Sequence, residues 1–199
     1  MNPRIPAVFL ALGLGLSAAH PALAWGDKGH RIVATLADES LPAELPAVLR
    51  TKHAAADIGQ KARELDRSKG AGRIHGSDRD PGRFADLDDD ARLLGGPKLV
   101  DLPPTRAAYE TALRAVGQDS WKAGYLPYAI VDGHQQLVRD FATYRVLLGA
   151  VKREKNRTRL EWYKADLRRR ELLILRDVGV WAHYLGDGAQ PLHDTIHYN

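Results

Sequence analysis

The sequence contains no cysteine among its 199 residues. Disulfides therefore cannot hold the fold together, so a hydrophobic core or bound metal must do so. Methionine occurs once and aromatic residues make up only 7% of the chain, so we expect the aromatic side chains to fill the core. A large excess of one charge is also lacking. The formal net charge of +4 is compatible with anionic substrates but is too small to indicate nucleic-acid binding by itself.

Long apolar runs are absent except within residues 1–24. There a basic start is followed by an apolar stretch over residues 5–19 and by small residues that end at Ala24. This pattern is typical of a secretory signal peptide, and the apolar stretch is too short and too rich in glycine and alanine for a membrane span. Cleavage after Ala24 would leave residues 25–199 as one periplasmic or secreted domain without a membrane span, beginning with Trp25.

Helical periodicity dominates the rest of the chain, and we find no internal repeat and no convincing strand. The pattern predicts an all-α, single mainly helical domain, with helices over residues 29–39, 41–49, 53–68, 105–116, 127–153 and 159–185. Residues 70–104 are rich in Gly, Pro and Asp and are expected to form a long irregular segment, which in a compact domain is more often functional than idle. The side chains expected to face the core from the last two helices are Ile130, Leu137, Val138, Phe141, Tyr144, Leu148, Trp162, Leu167, Ile174, Val178 and Trp181.

The last part of the chain places two imidazoles and a carboxylate within eleven residues. His183 and Asp187 are four positions apart and would share one face of a helix. Pro191 cannot continue that helix, so the chain is expected to turn after about Gln190 and to bring His193 back toward the pair. Two ligands on a helix and a third from the following turn fit zinc. The alternative is an ordinary helix end, in which His183 has a hydrogen-bond partner within the protein and Asp187 caps the helix.

Two motifs lie at opposite ends of the proposed mature chain. An N-terminal Trp25 is followed by an early Gly-His that ends at His30, and residues 183–193 follow the pattern His-x-x-Gly-Asp-x-x-Gln-Pro-Leu-His. In both motifs the chain resembles the S1/P1 nuclease family of secreted zinc-dependent single-strand nucleases and 3'-nucleotidases, which share a fold with the bacterial zinc phospholipases C. The resemblance implies a helical domain with up to three clustered Zn²⁺ ions.

The resemblance also implies which residues bind these ions. The implied zinc ligands are Trp25, through its free amine and carbonyl, His30, Asp66, His183, Asp187 and His193. The carboxylates of Asp66 and Asp187 are assigned to catalysis. Asp66 matches an aspartate at the end of an early helix in the family, and Asp57 is the second choice for that position.

The chain departs from the family pattern in two places. The family's His-Phe-x-Asp motif is matched by Arg83-Phe84-Ala85-Asp86, and a guanidinium cannot bind a metal ion. Either His75 takes the place of the missing histidine ligand, or this zinc is weakly bound or absent. Asp86 and residues 88–90 could compensate by supplying oxygen ligands. As a further alternative, Arg83 could clamp a phosphate group. The chain also stops at Asn199, before the family's last ligands. We therefore expect the sequence to be a fragment, in which His197 could assist His193.

The activity implied by the resemblance is hydrolysis of phosphoester bonds in single-stranded DNA or RNA and in 3'-nucleotides. An unstacked base can enter a pocket and stack on an aromatic side chain, while zinc activates water and neutralises phosphate charge. No stable protein partner is implied. The alternatives are a zinc-dependent phospholipase C, which would need an apolar lipid-facing rim, and a non-catalytic periplasmic metal-binding protein.

Overall fold

The computed structural model describes residues 26–68 and 79–198, and within these ranges the chain is helical and forms no sheet. The all-α prediction is confirmed. The α-helices are α1 (Asp27–Glu39), α2 (Lys52–Ala62), α3 (Arg106–Arg114), α4 (Ser120–Ala123), α5 (Leu126–Arg153) and α6 (Arg157–Gly188). Shorter 3-10 turns occur at Ala47–Leu49, Glu64–Ser68, Asp80–Arg83, Leu99–Asp101 and Pro191–His193. None of the helices in these ranges combines the length and the apolar character needed to cross a membrane.

Capping side chains explain where three of the helices begin. Thr51, Thr105 and Asn156 each accept a hydrogen bond from the backbone N–H three residues further on, at distances of 2.9, 3.2 and 3.1 Å. These bonds satisfy backbone donors that have no partner inside the first helical turn. The helices α2, α3 and α6 therefore begin within two residues of their predicted starts.

Two predicted helices are shorter in the structure than the sequence predicted. Residues 41–49 form only the turn Ala47–Leu49, because two prolines restrict the backbone there and remove N–H donors. The helix predicted over residues 53–68 stops at Ala62. The N–H of Asp66 bonds to the carbonyl of Arg63 at 3.1 Å instead of continuing the α-helical pattern to Ala62, whose carbonyl is taken by His183.

The long helix α6 is the centre of the fold, since α1, α2 and α5 all pack against it. Their shared core consists of the buried residues Ala34, Leu49, Ala54, Ile58, Ala62, Tyr144, Ile174 and Leu175. The crossing of α2 and α6 is close at Gly179, where an added Cβ would stand 2.5 Å from the Cβ of Lys61 and 2.8 Å from the carbonyl oxygen of Ile58. This close crossing brings the C-terminal end of α2 beside the last turns of α6.

A second core fixes the irregular segment against α3, α4 and α5. Its buried residues are Ala85, Leu93, Tyr109, Leu113, Ala123, Tyr125, Leu126 and Ala129. The N–H of Ala85 donates to the carbonyl of His193 at 2.8 Å, and the N–H of Ile196 donates to the carbonyl of Leu87 at 3.0 Å. The segment that follows α6 is therefore attached to the described part of the predicted long loop.

The predicted core stripes are correct for Leu137, Tyr144 and Ile174, which are buried. Two of the other predictions are wrong, since Val138 is 57% and Trp162 is 58% exposed. Val138 follows Leu137 on α5 and points about 100° away from it around the helix, so only one of the two can face the core. Trp162 lies near the start of α6, where its ring contacts Tyr163 edge-on.

Candidate metal centre

His30 from α1 meets His183 and Asp187 from α6 in a compact buried group. One ligand atom from each residue lies within 4.8 Å of the other two. The Asp187 carboxylate touches both rings: Oδ1 is 3.2 Å from His30 Nε2, and Oδ2 is 3.1 Å from His183 Nε2. The predicted i, i+4 pair therefore faces inward and meets the early histidine, and the three residues could hold a metal ion.

A backbone contact determines the tautomer of His183. Its Nδ1 lies 2.6 Å from the carbonyl oxygen of Ala62, and a carbonyl only accepts, so Nδ1 carries the proton. In the neutral imidazole Nε2 then keeps a lone pair that faces a carboxylate oxygen of Asp187. Both atoms are buried, and neither has a hydrogen-bond partner among the described residues. Two acceptors at 3.1 Å need a cation between them, either a proton or a metal ion.

The spacing of the nitrogen and oxygen atoms suits a metal with short bonds. Tetrahedral zinc with bonds of about 2.0–2.1 Å separates neighbouring ligand atoms by about 3.3–3.4 Å. The Asp187 oxygens lie 3.1, 3.2 and 3.4 Å from the Nε2 atoms of three imidazoles. The bond from His183 Nδ1 to a carbonyl is also the contact that orients many metal-binding histidines.

His193 approaches the group from the 3-10 turn Pro191–His193, as the position of Pro191 predicts. Its Nε2 is 3.4 Å from Asp187 Oδ1. The turn is attached to α6 because the N–H of Gln190 donates to the carbonyl of Asp187 at 2.9 Å, and the Gln190 side chain accepts from the N–H of Leu192. His193 contacts Asp187 but lies outside the compact group of three.

Asp187 stays ionised within this arrangement. Burial alone would raise the pKa of Asp187, but the hydrogen bonds and charges that His183 and His30 supply when they are protonated outweigh burial and lower it below the ordinary value. The rings of His30 and His183 stack with centroids 3.7 Å apart. Nearby, burial and the negative charge of Asp187 raise the pKa of Asp194 to about 6. Asp187 is therefore the central anion of the group.

Asp66 lies beside the group instead of within it. Its Oδ2 is 3.9 Å from His30 Nε2, while its Oδ1 accepts a hydrogen bond from Arg83 Nη1 at 3.1 Å. The same Nη1 donates to the carbonyl of Leu65 at 3.0 Å, and Nη2 donates to Asp80 Oδ1 at 2.6 Å. Arg83 is only 7% exposed. Its guanidinium is directed at protein acceptors, which does not favour its interpretation as a phosphate clamp.

The other sequence candidates do not join the group within the described ranges. Asp57 lies 3.7 Å from His53 near the surface of α2. Asp88 accepts hydrogen bonds from backbone N–H groups of its own loop, which lower its pKa, and Asp89 pairs with His197 at 2.8 Å on the surface. Burial raises the pKa of Asp86 to about 6. Trp25 and His75 lie outside the described residues.

A cavity of about 290 Å³ lies along α6, on the side of Tyr184. Its walls include Arg106, Tyr125, Gln136, Arg176 and Tyr184. The Arg106 guanidinium lies 3.7 Å from the centroid of the Tyr125 ring, and the Tyr184 ring meets the His183 ring edge-on. Tyr184 therefore contacts both the cavity and His183 of the metal group.

Comparison of the chain with protein-family models, with curated proteins and with solved structures finds no match. Three features of the site were not predicted from the sequence, namely the carbonyl of Ala62, the ion pair of Arg83 with Asp66, and the participation of Asp80. The spacing of Asp80 and Arg83, three residues apart, was the only sequence signal for any of them.

Proposed function

We propose that this protein is a secreted or periplasmic zinc-dependent phosphoesterase that hydrolyses single-stranded nucleic acid and 3'-nucleotides. The main support is the convergence of His183 Nε2 and the Asp187 carboxylate, two buried acceptors 3.1 Å apart. Imidazole nitrogen and carboxylate oxygen are ligands that zinc takes in proteins. The resemblance of residues 25–30 and 183–193 to the zinc nuclease motifs supports zinc over other divalent ions.

His30, His183 and Asp187 would hold the ion, with His193 at its edge and the amine of Trp25 as a further ligand. When bound, zinc polarises a phosphoryl oxygen and activates water for hydrolysis of the ester. Asp187 supplies the negative charge that balances the cation. His183 keeps its Nε2 directed at the site because its Nδ1 is bonded to a backbone carbonyl.

The cavity beside Tyr184 supports a substrate that is both anionic and aromatic. Arg106 offers a guanidinium group for phosphate, whereas Arg176 is paired with Asp177, and Tyr184 offers a ring for stacking. A nucleotide with an unpaired base presents both groups, whereas a base inside a duplex is stacked on its neighbours. This favours single strands and mononucleotides as substrates.

The test is hydrolysis by a chain that begins at Trp25, stripped of metal with a chelator and then resupplied with zinc. We expect phosphate release from 3'-AMP and faster cleavage of single-stranded than of double-stranded DNA, both lost with chelator and in Asp187→Asn. Hydrolysis of phosphatidylcholine vesicles in place of these substrates would select a phospholipase C. Tight zinc binding with no hydrolysis would select a non-catalytic metal-binding protein.

A further inference from the structure

Arg83 is a buried cation connected to the metal group by direct contacts. The Asp187 carboxylate touches His30, and His30 Nε2 lies 3.9 Å from Asp66 Oδ2. The other oxygen of Asp66 is held by Arg83 Nη1, and Arg83 Nη2 is held by Asp80. A permanent positive charge therefore lies one carboxylate away from the place where a metal ion would bind.

The charges of Asp66, Asp80, Asp187 and Arg83, which direct contacts connect through His30, balance with a single divalent ion. Asp66, Asp80 and Asp187 contribute three negative charges, and Arg83 contributes one positive charge. One divalent ion at His30, His183 and Asp187 makes the cluster neutral. A second divalent ion would leave two uncompensated positive charges in a buried region beside a guanidinium, which is costly where the dielectric constant is low.

One oxygen of each carboxylate that a second ion would need is already in use. Asp66 Oδ1 and Asp80 Oδ1 both accept hydrogen bonds from Arg83, and these side chains are only 10% and 21% exposed. A guanidinium remains protonated at every accessible pH and has no lone pair, so it neither leaves nor binds a metal. Removing it would free one oxygen of Asp66, which lies beside His30, and one oxygen of Asp80.

We propose that Arg83 is the resident second cation of this centre, so that the protein binds one divalent ion and not two or three. The inference rests on the proposed function only in placing that ion at His30, His183 and Asp187. Arg83 then acts as a positioning residue that holds Asp66 beside His30, and metal loading follows a single-site curve.

The test is the number of zinc ions bound, measured by calorimetric titration and by elemental analysis of the gel-filtered protein. We expect one zinc in the wild-type chain that begins at Trp25. Arg83→His is expected to bind two, because imidazole removes the fixed charge and adds a ligand beside Asp66 and Asp80. Arg83→Lys keeps the charge and is expected to bind one. Arg67→His is the matched control, since Arg67 pairs with the exposed Glu64 in the same segment, and it should also bind one.

Two or more ions in the wild-type chain would overturn the proposal, and this count does not depend on any variant folding. One ion in an Arg83→His protein with wild-type helix content by circular dichroism would also overturn it. The number of bound zinc ions, taken together with hydrolysis of 3'-AMP, distinguishes the proposed role of Arg83 from the proposed phosphoesterase activity. One bound zinc without hydrolysis of 3'-AMP leaves the role of Arg83 standing and refutes the phosphoesterase, whereas hydrolysis with two bound ions does the reverse.

Discussion

The carbonyl oxygen of Ala62 lies 2.6 Å from Nδ1 of His183, and this contact connects the end of α2 to the metal group on α6. It ends the α-helical hydrogen bonding of α2, since the N–H of Asp66 bonds to Arg63 instead. The contact also places the proton of His183 on Nδ1 and leaves Nε2 for Asp187. One hydrogen bond thus joins the end of α2 to the tautomer of His183.

Asp187→Asn should weaken zinc binding by at least about 100-fold, because the carboxylate lies between three imidazoles and its loss removes both a ligand and the balancing charge. Asp66→Asn is the matched change and should weaken binding less, because Asp66 touches the group only through His30 at 3.9 Å. Calorimetric titration of both purified variants measures this. An equal loss in the two would mean that both carboxylates bind the ion alike, and the reverse order would place the centre of the site at Asp66.

Gly179→Ala should destabilise the fold by about 1–3 kcal/mol, because the new Cβ would stand 2.5 Å from the Cβ of Lys61 and 2.8 Å from the carbonyl oxygen of Ile58, so that α2 and α6 would have to move apart. The matched control is Gly149→Ala on α5. There the Cβ would meet only the flexible end of Arg153, and removing a helical glycine should stabilise the fold by about 0.5–1 kcal/mol. Urea unfolding of the metal-free proteins gives both values. Similar effects at the two glycines would contradict the close crossing of α2 and α6.

Asp38→Asn should stabilise the protein at neutral pH and have little effect near pH 4. Burial and the charge of Glu39 raise the pKa of Asp38 from 3.8 to about 6, so the folded protein binds the proton more tightly than the unfolded chain. Stability from this group is therefore present at low pH and is lost as the pH rises from about 4 through 6. Because solvent screens part of this effect, the amide is expected to gain only about 1–2 kcal/mol at pH 7.5. Urea unfolding of both proteins at the two pH values tests this, and an equal difference at both would exclude the ionisation of Asp38 as its cause.

Arg106→Ala should raise the KM for 3'-AMP by about three- to tenfold with a smaller change in kcat, if the cavity beside Tyr184 binds the substrate. Arg106 lies on the cavity wall above the Tyr125 ring. Arg114→Ala removes the same charge from the other end of α3 and should leave KM unchanged. Matching kinetics for the two variants would mean that substrate binds elsewhere.

The parts of the fold that depend on residues close together in the sequence could be predicted from the sequence. Capping residues indicate where α2, α3 and α6 begin, and the i, i+4 spacing of His183 and Asp187 indicates a shared helix face. His30 entered the site only through the motif resemblance, because nothing local shows that α1 packs against the end of α6.

The contacts that modify the site could not be read from the sequence. Arg83 pairs with Asp66 because the 3-10 turns Glu64–Ser68 and Asp80–Arg83, which are separate in the sequence, lie side by side in the fold. The acidic run at residues 88–90 offers metal ligands in the sequence, but its loop uses Asp88 to accept backbone N–H groups. Burial and loop geometry, which are properties of the folded chain, decide which carboxylates remain for a metal.

The most direct test of the metal centre is a crystal structure of the zinc-loaded protein with anomalous diffraction measured on both sides of the zinc absorption edge. We expect an anomalous peak within about 2.0–2.2 Å of His30 Nε2, His183 Nε2 and an Asp187 oxygen, with Nδ1 of His183 still on the carbonyl of Ala62. The peak should vanish from crystals grown after treatment with chelator. Zinc bound only at surface pairs such as His197 and Asp89, with none between His30, His183 and Asp187, would contradict the account.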